Sequence, residues 1–220
     1  MRFQLNKILP RFAIFPLILT VVINMIVYSG SRILMRDAHH YDITSSIDEM
    51  IPLVPAWTVV YLICFAFWVI NYLLACRESR EQCYRFLSAE AIAKLICGLC
   101  FILFPTTNVR PDTIDGVFGP LLELVYLLDA PDNLFPSIHC LVSWFCFRGL
   151  KGCKTIPKWY YWFSFVFALL IFASTLFTKQ HVIVDVIGGV VVAEIGIWLS
   201  RHLRADRIYW KINFLDRKKV

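Results

Sequence analysis

Residues 180–200 read QHVIVDVIGGVVVAEIGIWLS. This mostly apolar run has the length of about 20 residues that an α-helix needs to cross a bilayer core of roughly 30 Å. Two polar side chains, His181 and Asp185, lie near its beginning. The stretch therefore predicts a membrane-spanning helix with reactive groups at its mouth.

The whole chain has the composition of a polytopic membrane protein. Of its 220 residues, 59% are hydrophobic and 17% are charged, whereas soluble domains are about half apolar and a quarter charged. The pattern predicts an all-α fold, with a short interfacial helix near residues 116–129. No polar segment has room for a large water-facing domain, so residues 1–220 are expected to form a single membrane-embedded domain. Six transmembrane helices are expected near residues 12–29, 53–75, 86–104, 137–150, 159–177 and 180–200.

The basic residues favour one orientation, because cytoplasmic loops carry an excess of lysine and arginine. With a cytoplasmic N-terminus, 17 of the 22 basic residues fall on the cytoplasmic face and four on the opposite face. We therefore expect both termini in the cytoplasm and the mouth of residues 180–200 outside. The net charge of +6 then reflects a basic inner face that attracts anionic membrane lipids. It requires no nucleic-acid partner, and protein partners stay unknown.

The segment Pro136-Ser137-Ile138-His139 precedes another apolar run. Ser137 is a preferred type of helix N-cap. Because this helix runs from outside to inside, its unpaired N–H groups and positive dipole end face outward and form an anion site. His139 lies in the first turn, within reach of a bound group. Taken alone, the segment fits equally well a capping serine and a histidine that only forms a hydrogen bond.

His181 and Asp185 are four residues apart, a spacing that stacks them on one helical face. A carboxylate that accepts from one imidazole nitrogen fixes the tautomer and leaves the other nitrogen as nucleophile or base. An unpaired charge within a span is costly, so Asp185 should face the bundle and have a partner. A purely structural ion pair is the alternative.

Two outside cations flank the helix mouths that carry the histidines. Arg110, which precedes Pro111, has the planar guanidinium that suits phosphate, and Lys179 is the second candidate for phosphate binding. Aspartates in this region are either solvated loop charges or groups that recruit a cationic headgroup. No ligand spacing resembles a metal site, so neither a metal nor a cofactor is expected. These aspartates are Asp112, Asp115, Asp129 and Asp132.

On these motifs the chain resembles the type 2 phosphatidic acid phosphatase superfamily. The superfamily pattern has a lysine seven residues before Arg-Pro, then Pro-Ser-Gly-His, then Ser-Arg with a downstream histidine and aspartate. The chain is similar to it at Arg110-Pro111, at Pro136-Ser137-Ile138-His139, and at Ser174 with His181 and Asp185, in the same order and with similar gaps.

The resemblance implies a metal-independent enzyme of lipid metabolism with its catalytic core near residues 86–200. His181 would attack phosphorus and form a phosphohistidine, with Asp185 orienting it. His139 would protonate the leaving alkoxide and later activate the acceptor. Arg110 and Ser137 would hold the phosphate oxygens. The substrate would be a lipid phosphate or phospholipid, reached from the extracytoplasmic face of the plasma membrane.

The chain departs from the superfamily pattern at three positions: Leu103 replaces the lysine, Ile138 the glycine and Thr175 the arginine. The same loss of pattern residues is found in the branch of sphingomyelin and inositol phosphorylceramide synthases. Residues 104–107 (FPTT) also resemble that branch. Those enzymes transfer a phosphoryl headgroup to an alcohol.

Either of two lysines is a possible replacement for the missing cations. Lys179 lies at the mouth of the last predicted helix. Lys94 lies within the third predicted helix, four residues after Glu90, and this spacing predicts an ion pair between the two.

Three hypotheses follow from the sequence. The first is a phosphatase that hydrolyses lipid phosphate monoesters or pyrophosphates, with water as acceptor. The second is a phospholipid headgroup phosphotransferase with an alcohol as acceptor. The third is a non-catalytic membrane transporter or scaffold, since intramembrane charges also mark transport pathways.

Overall fold

The computed structural model describes residues 9–111 and 114–214. The structure is 73% helical. Asp112 and five of the basic residues expected on the cytoplasmic face lie outside the described residues. These cations are Arg2, Lys7, Arg217, Lys218 and Lys219.

Helices follow one another along most of the described chain. They are α1 (Arg11–Leu34), α2 (Ser46–Met50), α3 (Thr58–Glu78), α4 (Arg80–Leu103), α5 (Gly119–Leu128), α6 (Ile138–Gly149), α7 (Lys158–Phe177), α8 (Ile183–Leu203) and α9 (Asp206–Ile212). Within α1, residues Ile26–Gly30 are a π-helical turn, and a 3-10 turn at Pro55–Trp57 leads into α3. Two short strands, β1 (Tyr41–Asp42) and β2 (Thr106–Thr107), pair in parallel. They tie the segment after α1 to the segment after α4.

Five helices, α1, α3, α4, α7 and α8, are long and apolar enough to cross a membrane. The chain is therefore a mostly helical, polytopic membrane protein. The expected count of six spans is not confirmed, because α6 has only 12 residues, which is about 18 Å at 1.5 Å per residue. Most α6 side chains are buried by neighbouring helices, so its length need not match the hydrocarbon core.

Helix α5 corresponds to the interfacial helix expected at residues 116–129. Leu122 and Val125 pack against Tyr61 of α3. The opposite side exposes Leu124 and Leu127. This apolar face is the type that an interfacial helix presents to lipid, and its depth in the bilayer stays a prediction.

Two glycines let α8 approach its neighbours closely. A Cβ atom at Gly189 would lie 2.6 Å from the backbone oxygen of Ser137, and one at Gly196 would lie 2.7 Å from that of Ala89. Neither distance is sterically possible, so only glycine allows these backbone contacts. The contact at Gly189 brings the beginning of α8 beside the beginning of α6.

The expected pair of Lys94 and Glu90 is confirmed, with Nζ 2.6 Å from Oε1. Glu90 also accepts hydrogen bonds from Tyr72 and Thr20. A buried carboxylate within a span requires such partners, and these link α1, α3 and α4. Lys94 therefore belongs to a cluster of buried polar side chains that connects these three helices.

Candidate active site

The segment before α6 is held in place from three sides. The Ser137 hydroxyl caps α6 by accepting from the N–H of Cys140 at 3.3 Å. The backbone N–H of Ser137 donates to the Asp185 carbonyl oxygen at 3.1 Å, and the N–H of Phe135 donates to the Thr106 hydroxyl at 2.8 Å. One backbone hydrogen bond therefore joins the two motifs that the sequence singled out.

His181 and Asp185 form the pair that their spacing predicts. Nδ1 of His181 lies 3.2 Å from Oδ2 of Asp185, and the same oxygen accepts from the N–H of Val182 at 3.0 Å. Asp185 is fully buried and His181 is 7% exposed. Within the described chain, Nε2 of His181 has no hydrogen-bond partner. It is therefore the nitrogen left for reaction.

His139 and His181 face each other, with ring centroids 5.7 Å apart. Nε2 of His139 lies 2.8 Å from the hydroxyl oxygen of Tyr61, and that hydroxyl donates to Oδ2 of Asp129 at 3.1 Å. Because a hydroxyl has one proton, both contacts are satisfied when Nε2 of His139 carries a proton and donates it to Tyr61. Tyr28 donates to the other oxygen of Asp129.

Asp129 supplies a negative charge beside His139. Burial opposes ionisation, but the charge of His139 and the hydrogen bond from Tyr28 outweigh it, so the pKa of the Asp129 carboxyl is lowered. Sequence reasoning treated this aspartate as one of four loop charges and missed Tyr28 and Tyr61. A tyrosine near a span end is usually read as part of the aromatic belt, so the sequence gives no separate signal for these two.

A cavity of about 330 Å³ opens between the histidines. The polar part of its wall contains both histidines, Asp129, Gln180 and the two tyrosines. The rest of its wall is mostly apolar and includes Phe65, Trp68, Leu62, Val125, Leu128, Leu134 and Ile138. A polar end and an apolar body suit a ligand with one charged group and a hydrocarbon part.

Arg110 does not line this cavity itself, but it binds Asp129 and Gln180, which do, and it is held by three contacts. Its terminal nitrogens donate to the Asp129 carbonyl oxygen and, at 2.7 Å, to Oε1 of Gln180. The guanidinium carbon lies 4.7 Å from the centre of the Tyr126 ring. Burial lowers the pKa of Arg110, although an arginine stays protonated in proteins.

Two buried donors in this region lack acceptors within the described residues: Nε of Arg110 and Nε2 of Gln180. The backbone N–H groups of Ile138 and His139, at the start of α6, also make no hydrogen bond there. Buried donors without acceptors are rare in proteins. The sequence pointed to Arg110 and to the start of α6, but it gave no signal for Gln180.

Lys179 is not brought to the histidine cavity. Its Nζ donates to the backbone oxygen of Asp48 at 2.8 Å, while Oδ1 of Asp48 accepts from the N–H of Ile183 at 2.7 Å. Both contacts anchor α2 to the beginning of α8. Phosphate binding by Lys179 stays a prediction.

A second cavity, of about 540 Å³, reaches His181 from the side of α2. Its wall contains Asp42, Asp48 and Glu49 together with Lys179. His181 also lines the apolar cavity. His181 therefore lines two cavities, one mostly apolar and one whose mixed wall carries three carboxylates.

The structure shows the surroundings of two of the three residues that depart from the superfamily pattern. Leu103 is 78% exposed at the end of α4, where a lipid-facing side chain should be apolar. Thr175 is buried, and its backbone oxygen accepts from the N–H groups of Gln180 and His181 at 2.9 and 3.1 Å. Thr175 therefore shapes the turn that presents His181. Within the described chain, no group of three or more His, Cys, Asp or Glu side chains is arranged to hold a metal ion.

In comparison with known protein families, residues 124–199 match the model of the PAP2 superfamily. No curated protein and no solved structure matches the chain. The matched segment contains both histidine motifs. It supports the superfamily, and with it a phosphatase-type activity in general, since members of this superfamily are generally phosphatases or phosphotransferases.

Proposed function

We propose that this protein is an integral-membrane phosphatase that hydrolyses lipid phosphate monoesters or pyrophosphates through a phosphohistidine. The observation that carries the proposal is the pairing of His181 with Asp185, opposite His139, at one cavity. A nucleophile, its orienting carboxylate and a proton donor are the groups that this chemistry needs.

The reaction has two displacement steps at phosphorus. In the first, Nε2 of His181 forms the P–N bond as the P–O bond to the lipid alkoxide breaks, and the alkoxide takes the Nε2 proton of the His139 imidazolium, which becomes a neutral imidazole. In the second, water gives a proton to His139 as its oxygen attacks phosphorus. The P–N bond then breaks and inorganic phosphate leaves.

Unpaired donors supply the phosphate contacts in this proposal. Arg110 and the start of α6, which Ser137 caps, bind the oxygens as the resemblance implies. Nε2 of Gln180 adds a neutral donor that stands in for part of the missing cations. Lys179 would contribute only if it left Asp48. Neutral donors suit a buried phosphate because their burial costs less than that of a lysine.

Apolar space next to the site supports a lipid as the substrate. A further cavity, of about 290 Å³, lies between α1, α3 and α6 and shares Asn24, Trp68 and Ile138 with the histidine cavity. The two spaces together can hold a headgroup with the beginning of its hydrocarbon chain. The tyrosines of α1 and α3 lie outside residues 86–200, so the catalytic unit we propose also takes in the first two spans of the single domain.

One observation favours the phosphotransferase alternative. The wall of the cavity that reaches His181 from α2 carries three carboxylates, and carboxylates can hold a polyhydroxylated or cationic acceptor by hydrogen bonds and charge. In that case an alcohol takes the place of water in the second step. The sphingomyelin and inositol phosphorylceramide synthase-like branch is the form that this alternative takes.

For the cellular setting we propose the plasma membrane, with both termini cytoplasmic and the site on the extracytoplasmic face. The charge asymmetry of the sequence supports this orientation. The five apolar helices support the membrane itself.

The test is to incubate the purified full chain with phosphatidic acid and, separately, with a phospholipid plus inositol or ceramide. The His181→Ala chain is the control in each assay. Phosphate release by the parent alone supports the phosphatase, and headgroup exchange by the parent alone supports the transferase. Neither product, with lipid still bound, contradicts both and favours the transporter or scaffold.

A further inference from the structure

Another cavity, lined by arginine and lysine side chains, lies at the end of the helical bundle opposite the histidines. Helix α8 begins at the histidine site and, 21 residues later, ends about 30 Å away at 1.5 Å per residue. There a cavity of about 580 Å³ opens between the ends of α4, α6, α8 and α9. It shares no lining residue with the histidine cavity.

Five cations line this cavity without a carboxylate partner in the described part of the chain. A sixth, Arg148, is paired with Glu194 at 2.6 Å. Asp206 is the one carboxylate in the wall, so the positive charge stays largely uncompensated. The five cations are Arg85, Lys151, Arg201, Arg204 and Arg207.

The backbone at Arg204 adds a second observation. Arg204 follows α8 in the left-handed conformation, with φ of 51°. Glycine is the usual residue there, because a side chain costs roughly 1–2 kcal/mol in this conformation. Arg204 therefore keeps a charged side chain at a position that favours glycine, and that side chain lines the cavity.

The floor of the cavity is apolar and contains the buried rings of Phe86 and Phe145 together with Ile197. A cationic rim over an apolar floor, at the ends of membrane-spanning helices, matches an anionic lipid better than a soluble anion. Basic pockets between helix ends are known settings for multiply charged lipid headgroups.

We propose that this cavity binds the phosphate-bearing headgroup of an anionic membrane lipid. The site is separate from the proposed active site and does not depend on the proposed reaction. A general excess of basic residues on one face attracts anionic lipid without any defined site. The proposal differs because it requires particular cations that converge on one cavity.

The test measures binding of dioctanoyl phosphatidylinositol bisphosphate to the detergent-solubilised full chain by its effect on Tm. The His181→Ala chain is the background, so the probe is not consumed at the proposed active site. Arg201→Gln/Arg207→Gln should raise Kd by about 25-fold, because each cation near such a headgroup is worth about fivefold in affinity. The matched control is Arg77→Gln/Lys158→Gln, which removes two exposed cations of the same face outside the cavity. It should change Kd by less than about twofold.

Arg204→Gly separates binding from folding. Glycine removes the left-handed strain, so Tm without lipid should be unchanged or raised, while Kd rises about fivefold. Equal weakening by the two double variants, or no binding by the parent chain, would overturn the proposal. Inositol trisphosphate that binds as tightly as the lipid would overturn the assignment to a lipid.

Discussion

The hydroxyl of Tyr61 lies 2.8 Å from Nε2 of His139. The same hydroxyl donates to the carboxylate of Asp129, which follows α5. Tyr61 therefore connects the negative charge of Asp129 to the imidazole of His139. In this arrangement Tyr61 fixes which His139 nitrogen carries the proton. It is therefore a positioning residue for the proposed proton donor.

Tyr61→Phe should leave the fold intact and slow turnover about 10- to 100-fold, the effect of losing one hydrogen bond to a charged group. The loss should be largest for substrates with poor leaving groups, because a good leaving group needs no proton. His139→Ala should show the same dependence more strongly. Rates with a series of leaving groups check this, and Tyr41→Phe, at an exposed ring, is the control. An equal loss for all leaving groups would point to a structural role.

His181→Ala should abolish turnover, because no covalent intermediate can form. Asp185→Asn should keep the fold but lose about four orders of magnitude in rate, because the imidazole loses its orienting anion. The measurement is trapping of labelled phosphate on the protein as an acid-labile, base-stable adduct. His202→Ala, at the far end of α8, should behave like the parent. Turnover by His181→Ala at the parent rate would rule out the phosphohistidine.

Arg110→Gln and Lys179→Gln should differ sharply. We expect Arg110→Gln to reduce kcat/KM by about 100-fold or more, because a fixed donor to the transferring group is lost. Lys179→Gln should change it by less than about fivefold, mainly through KM, because Nζ of Lys179 is bound to the Asp48 carbonyl. Steady-state kinetics on both variants test this. An equally large loss for Lys179→Gln would mean that this lysine turns to the phosphate when substrate binds.

Gly189→Ala should destabilise the protein by about 1–3 kcal/mol, the usual cost of overpacking. The added Cβ would meet the Ser137 backbone oxygen, so the start of α6 must move away from α8 and activity should fall as well. Gly30→Ala is the control, because its Cβ would meet nothing closer than 4.0 Å. Tm and turnover are measured together. Parent-like values for Gly189→Ala would show that the two helices can separate at no cost.

The charge asymmetry predicts that Asp115 lies outside the cell and His202 inside. In intact cells an impermeant thiol reagent should label Asp115→Cys and spare His202→Cys until the cells are opened. Unaltered protein, with its eight native cysteines, gives the background. Labelling of His202→Cys alone in intact cells would reverse the proposed topology.

Local features of the sequence predicted much of the fold. Apolar runs of span length predicted α1, α3, α4, α7 and α8 with ends within six residues, because a helix satisfies its own backbone hydrogen bonds inside a membrane. The same local rules predicted Ser137 as a cap, the pair of His181 and Asp185, and the pair of Glu90 and Lys94. Each of these interactions lies within one helical turn.

Only the tertiary structure determines which side chains from different helices contact one another. The sequence predicted α6 as a span, and the structure shows a helix of only 12 residues that its neighbours bury, so its crossing of the membrane stays a prediction. Tyr28, Tyr61 and Gln180 lie at the site, and Lys179 binds Asp48 instead, through contacts between residues 68 to 131 positions apart. No local pattern encodes such contacts, since they depend on how closely glycine-bearing helices pack. The sequence determined which chemistry was available, and the packing of α3, α5, α6 and α8 decided which groups share one cavity.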